Sequence, residues 1–191
     1  MIDNYPIVQK LFSQILPISD IVVEGFSKKM VERNFKKGEI IKPYNGTERF
    51  LNIVVSGSAG LFVAKNEKDI CINITYENAF FSDYSSFLNQ QPTAIQAQSL
   101  EDCLFYSIEY RQLNYLYGKS MQGMSLGKIF AEQAYVRKQQ EQINLLTQTP
   151  LERYRNLLNA RPDIFQRTPL KIIASYLGLT PESLSRIRKK Q

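Results

Sequence analysis

Between Glu39 and Ile108 the apolar runs are short, and turn-forming residues cut them apart. The runs are Glu39-Ile-Ile-Lys, Phe50-Leu-Asn-Ile-Val-Val, Gly60-Leu-Phe-Val-Ala, Ile70-Cys-Ile-Asn-Ile-Thr-Tyr and Cys103-Leu-Phe-Tyr-Ser-Ile. Lys37-Gly38, Asn45-Gly46, Ser56-Gly57-Ser58 and Asn66-Glu67-Lys68-Asp69 stand between them. Runs this short, rich in Val, Ile and aromatics and bounded by Gly and Asn, read as strands. Several of them at this spacing predict an all-β jelly roll or barrel. A helical lead precedes it: Ile7, Val8, Leu11, Phe12 and Ile15 have helical spacing and end at Pro17, and Ser19–Met30 reads as a second short helix.

After residue 119 the pattern changes. Gly118 and Gly123 stand at the entrance of a Gln-rich segment with no internal proline, and Pro150 marks its exit. Leu126, Ile129, Gln133, Val136, Gln140 and Ile143 repeat every three or four residues, a heptad seam that is polar at Gln133 and Gln140. This predicts a long helix, either packed on its own domain or pairing with a second copy; we expect the pairing. Leu151–Asn159 reads as a helix and Pro162-Asp-Ile-Phe as a connection. Pro169–Leu177 is a helix with Leu170, Ile173, Ala174 and Leu177 on one face. Gly178-Leu179 makes a tight turn, Thr180 is a good N-cap, and Pro181 opens a last helix running to Lys190. The chain thus divides into 1–119, 120–148 and 149–191, an α+β organisation of β-roll, long helix and small helical domain.

Charge follows the same division. The net charge is +6, and residues 150–191 carry nine basic and three acidic residues, so the preceding part is neutral. A basic end on a neutral body points to an anionic partner. Composition also excludes. The chain has no histidine, which removes His-based catalytic triads and His-ligated metal or haem. Its two cysteines, Cys71 and Cys103, are too few for a four-thiolate zinc or iron–sulfur centre and read as small core residues. No cofactor and no metal are expected. The N-terminus lacks the pattern of a signal peptide and no apolar run reaches the ~20 residues of a membrane span, so the expected location is the cytoplasm.

Helix, glycine turn, basic amphipathic helix is the pattern of a helix-turn-helix. Ala174 allows close approach of the two helices, and Gly178 supplies a left-handed backbone at the turn. Leu184 and Ile187 face inward. Glu182, Ser183, Ser185, Arg186 and Lys189 then face outward, where Arg pairs bidentately with guanine and Glu accepts from the cytosine amino group. With Thr180 and Arg188, these are the candidate DNA-contacting residues.

The segment Ile173-Ala-Ser-Tyr-Leu-Gly-Leu-Thr-Pro-Glu-Ser-Leu-Ser-Arg-Ile-Arg resembles the recognition hairpin of CRP/FNR-type transcription regulators, in the variety common in Bacteroidetes-like bacteria. The resemblance extends over nearly the whole chain, since that family runs from a cyclic-nucleotide-binding-like β-roll through a dimerisation helix to a helix-turn-helix. Arg153-Tyr154 is also typical of it. It implies a homodimer reading palindromic DNA, with RNA polymerase and a small-molecule effector of unknown identity as further partners. Glu182, Ser185 and Arg186 match the reading set of the fumarate-nitrate branch, whereas the catabolite-activator branch has an arginine where this chain has Pro181. With Gln191 following the reading helix directly, no wing strand is expected after it.

The effector pocket departs from the family. Aligning Phe81-Ser82-Asp83 with the family's Phe-Gly-Glu puts Ser82 at the glycine and Asp83 at the glutamate. Thr93 and Ala94 then fall where an Arg-Ser or Arg-Thr pair would hold a cyclic phosphate. The bidentate cation is missing, so Phe81, Ser82, Asp83, Tyr84, Thr93 and Ala94 read as a degenerate pocket that does not take cyclic AMP in the family's manner. The oxygen-sensing branch's cysteine cluster and the carbon-monoxide-sensing branch's haem histidine are missing as well. One rival reading is a ligand-sensing module whose hairpin docks a protein; another is an enzyme on a cupin-like β-roll using Asp83 and Tyr84. We expect no enzyme, because the second has no motif behind it.

Overall fold

The computed structural model describes residues 4–66 and 68–189. Two helices, α1 (Tyr5–Ser13) and α2 (Asp20–Ser27), lead into eight strands. These are β1 (Val31–Phe35), β2 (Ile40–Lys42), β3 (Phe50–Ser56), β4 (Ala59–Lys65), β5 (Lys68–Thr75), β6 (Ala79–Phe81), β7 (Ile95–Ser99) and β8 (Cys103–Glu109). A short helix α3 (Tyr84–Asn89) sits between β6 and β7. The strands form two antiparallel four-stranded sheets, in the orders β1-β8-β3-β6 and β2-β7-β4-β5. The jelly-roll expectation is met.

The central strands of the first sheet, β3 and β8, are buried on both faces, and their sequence shows why. Along β3, Leu51 and Ile53 point to the helical layer, where they meet Phe12, Phe26 and Phe130. Val54, on the alternate face, meets Phe81, Phe105, Leu61 and Ala97 between the sheets. Strand β8 divides in the same way, Ile108 to the helices and Phe105 to the second sheet. The period of two therefore fills two cores from single strands. Asn52 interrupts the apolar run of β3 and is fully buried. Its amide donates to Phe81 O at 3.0 Å and its carbonyl accepts from Ser107 Oγ at 2.6 Å, so the polar group keeps partners inside the sandwich.

Strands β1, β6 and β7 were not legible. Val-Glu-Arg-Asn-Phe and Ile-Gln-Ala-Gln-Ser carry polar side chains at most positions, and their strand character comes from pairing with β8 and β4. The turn at Gly57 needs glycine: φ is +83°, and a Cβ there would lie 2.3 Å from Asp102 O. Cys71 and Cys103 are buried free thiols whose pKa values burial pushes up, to about 12 and about 11. They are core residues, as expected.

After α4 (Tyr110–Tyr117) comes the long helix α5 (Met121–Thr147), capped by Ser120 Oγ accepting from Gly123 N at 3.0 Å. Its first turns lie on the β-roll through Leu126 and Phe130. A capping box of Thr149 and Glu152, with Pro150 at the start, then opens α6 (Pro150–Ala160). The segment expected to be a plain connection contains a short helix, α7 (Ile164–Arg167), followed by α8 (Leu170–Tyr176) and α9 (Pro181–Lys189). Tyr154, Ile164, Ile173, Ala174, Leu177 and Leu184 form the core of this helical unit, and Tyr76 of the β-roll is buried with them. No described helix is long and apolar enough to cross a membrane.

Phe26 of α2 meets Phe12 of α1 edge to face, ring centroids 4.9 Å apart, inside the core that both helices share with Leu51 and Ile53 of the sheet. Phe26→Ala is expected to lower folding stability by about 3–5 kcal/mol, read as a shift of the urea midpoint.

Candidate functional site

Of the residues expected to line an effector pocket, the structure brings two together, Asp83 and Thr93, and it adds a third that the sequence reading missed. Lys42 ends β2, and its ammonium reaches inward. Nζ donates to Asp83 Oδ2 at 2.8 Å, to Thr93 Oγ1 at 2.9 Å and to Ile95 O at 2.6 Å. The lysine and aspartate side chains are 2% and 1% exposed. An ammonium has three donors, and here each has an acceptor. The aspartate is equally occupied: its other oxygen accepts Ser86 N at 3.3 Å as the cap of α3, and Thr93 also hydrogen-bonds Asp83 Oδ2. A lone buried charge is unaffordable without such pairing.

Glu48 is buried beside this pair. Its Oε1 accepts Phe50 N at 3.1 Å, while its Oε2 has no hydrogen-bond partner among the described residues. Burial pushes the Glu48 carboxyl up from its ordinary value, against the opposing pull of the Phe50 and Asp83 backbone N–H groups and the cations Arg33 and Lys42.

The other pocket candidates lie elsewhere. Phe81 belongs to the core between the sheets. Tyr84 packs on Phe130, ring centroids 5.4 Å apart, as part of the helical layer. Ser82 Oγ donates to Phe50 O at 3.1 Å, and Ala94 is exposed. Phe81, 1% exposed, is drawn by its apolar area into the core instead of lining a pocket, whereas Tyr84 stays half-buried.

At the other end of the chain, α8 and α9 meet at a tight turn. Gly178 has φ +69°, the left-handed value expected of it, and Leu179 N donates to Ala174 O at 2.8 Å. Thr180 Oγ1 caps α9, accepting from Ser183 N at 3.2 Å. Leu184 is fully buried, whereas Glu182, Arg186, Arg188 and Lys189 are exposed and Ser183 and Ser185 half-buried. Arg186 Nη2 donates to Ser183 Oγ at 3.2 Å. The Glu182 carboxyl is held below its usual range by its own backbone N–H at the helix start and by the Thr180 hydroxyl. Arg188 stacks over Phe165, 4.3 Å from the ring centroid. Lys190, the expected end of this helix, lies outside the described residues. Arg153 ties the turn to the long helix: Nε donates to Leu177 O at 3.0 Å and Nη1 to Gln148 O at 2.6 Å.

Along α5 the six seam residues do not share one environment. Leu126 is 2% exposed and buried in its own β-roll core, so its place in an intermolecular seam is corrected. Ile129 is half-buried, and Gln133, Val136, Gln140 and Ile143 are exposed, Val136 by 64%.

Residues 32–120 match the model of the cyclic nucleotide-binding domain. No curated protein sequence matches the chain significantly. Among solved structures, FixK2 of Bradyrhizobium japonicum superposes with a TM-score of 0.67 at 18% identity, covering 84% of this chain and 83% of that one. The c-di-GMP-responsive global regulator CLP of Xanthomonas campestris gives 0.65 at 14% identity, covering 90% and 91%. The catabolite activator protein of Thermus thermophilus gives 0.59 at 16% identity, covering 94% and 85%. Residues 32–120 therefore have the fold of a cyclic nucleotide-binding domain, α+β in class with the helices that follow it. The chain shares its fold with these three proteins.

Removing one partner of a buried ion pair leaves the other charge stranded. Lys42→Met is expected to lower stability by about 3–5 kcal/mol, and adding Asp83→Asn, which removes the stranded charge, to recover part of that loss. Urea titration of the two variants checks this.

Proposed function

We propose that the chain is a DNA-binding transcription regulator of the CRP/FNR type. It works as a homodimer that reads a palindromic site with α9, and it does not take cyclic AMP in the family's manner. In this reading the domains are the β-roll sensor (1–119), the dimerisation helix (120–148) and a helix-turn-helix (149–191). One observation carries it: α9 is held from behind by Leu184 and presents Glu182 and Arg186, one turn apart, on its exposed side. That is the placement needed to reach base edges in a major groove. The basic C-terminal charge and the fold shared with regulators of gene expression support the same conclusion.

The half of α5 beyond Phe130 supports dimerisation. It carries Val136, Ile143, Leu145 and Leu146 exposed, on a helix whose first half is already packed on the β-roll. A second copy of the same helix is the partner that a heptad spacing fits. The closed Lys42–Asp83–Thr93 cluster supports the negative part of the proposal. The positions that would contact ribose and phosphate already satisfy one another.

The test is selection of duplexes from a random pool by the ligand-free protein at near-physiological salt. Enrichment of a palindrome with half-site centres about 34 Å apart is expected. No enrichment, with no salt-dependent duplex binding, would turn the hairpin into a protein-docking surface. Arg186→Ala is expected to weaken the selected site by about 1–3 kcal/mol while leaving random DNA nearly unaffected, measured by competition binding. Val136→Glu is expected to convert the dimer to monomer in sedimentation equilibrium and to abolish selection of the palindrome.

A further inference from the structure

The helical unit does not hang from α5 alone. It is seated on the β-roll, and the seat is built from specific polar groups. Arg167, at the end of α7, reaches two separate loops of the β-roll at once. Its Nη1 and Nη2 donate to both oxygens of Glu77, at 2.9 and 2.6 Å. Its Nε and Nη2 donate to both oxygens of Glu101, at 3.1 and 2.7 Å. Glu77 follows β5 and Glu101 follows β7, so one planar guanidinium bridges two turns at the same end of the sandwich. The three side chains are only 24–27% exposed.

The neighbouring residues complete the seat. Tyr76 has Arg161 and Arg167 within 4.6 and 4.9 Å of its ring centroid, and its hydroxyl hydrogen-bonds Thr168 Oγ1 at 2.5 Å. Ile172 and Tyr176 of α8 pack with Phe62, Cys71 and Leu100. The pairing of β4 with β5 slips by one residue between Leu61 and Phe62, and beside that slip Cys71 N donates to Ser175 Oγ of α8 at 2.8 Å. A β-bulge here offers an amide to the helical unit instead of to a neighbouring strand.

We propose that Arg167 is a positioning residue: by clasping Glu77 and Glu101 it fixes α8, and through α8 the direction in which α9 stands relative to the β-roll. The inference rests on the DNA-reading role proposed for α9. Each α9 of the dimer is then held by two ties, Arg153 to the end of α5 and Arg167 to the β-roll. A helix held at two points is a rigid arm, and rigid arms tolerate only one half-site spacing.

The Cys71 amide reports on the seat directly, because its acceptor belongs to the helical unit. In Arg167→Met its hydrogen exchange is expected to speed up at least tenfold, with the amides of β3 unchanged and partial rescue by Arg167→Lys. The same variant is expected to enrich palindromes with one or two base pairs added or removed between half-sites, which the unaltered protein rejects. Should Arg167→Met fail to fold, Glu101→Gln removes half of the clasp and serves the same two readouts. Unchanged Cys71 exchange, acceleration shared equally with β3, or an open seat with unaltered spacing preference would each overturn the proposal. If the unaltered protein enriches no duplex, the DNA reading itself fails, and the clasp is then decided by the exchange measurement alone.

Discussion

The β-roll and the helices packed on it depend on two central strands, β3 and β8, that are buried on both faces. The sheet containing β3 and β8 supplies one wall of the core between the sheets and the floor of the helical layer. Ile53, Val54, Phe105 and Ile108 are each essentially inaccessible to water. Because the two faces of one strand alternate strictly, a one-residue slip of β3 would exchange its two sets of contacts and empty both cores. The register of β3 with β8 therefore locates α1, α2 and the first half of α5, and α5 in turn sets where the C-terminal helices begin.

Within that frame Lys42, Asp83 and Thr93 close on one another. A buried lysine–aspartate pair is weak evidence of added stability, since desolvation offsets most of the attraction. Here the pair has a structural consequence instead. It joins the end of β2, the cap of α3 and the entry to β7. The unpartnered oxygen of Glu48 beside it makes the neutral carboxyl the form that burial favours. A carboxyl whose pKa is raised on folding contributes stability that is full below its unfolded value and is lost as pH rises through its folded value.

Two charged clusters among the described residues differ in kind. Lys42 and Asp83 are sealed inside one domain, whereas Arg167, Glu77 and Glu101 sit at a seam between the β-roll and the helical unit, with water at hand. The first cluster fixes a shape. The second joins two bodies, together with the Tyr76–Thr168 and Cys71–Ser175 hydrogen bonds and the apolar contacts of α8.

The sequence by itself determined the order of the three parts, the strand character of five apolar runs between 39 and 108, the long helix after Ser120 and the glycine turn before α9. These depend on local chemistry: alternation, helical spacing, caps, and the backbone freedom of Gly57 and Gly178. It also named Asp83 and Thr93, because a motif position marks a residue whatever its surroundings. Only the tertiary structure decided what fills that site. Lys42 reads in sequence as an ordinary strand-end lysine, and its acceptors lie more than forty residues away along the chain. Leu126 fits a heptad and a β-roll core equally well, and packing against Phe130 and the sheet settled it. Arg167 and Tyr76 carry no local signal at all. Their pairing with Glu77, Glu101 and Thr168 exists because closing the sandwich brings distant turns to one end of it, and no period or cap within the sequence records that closure.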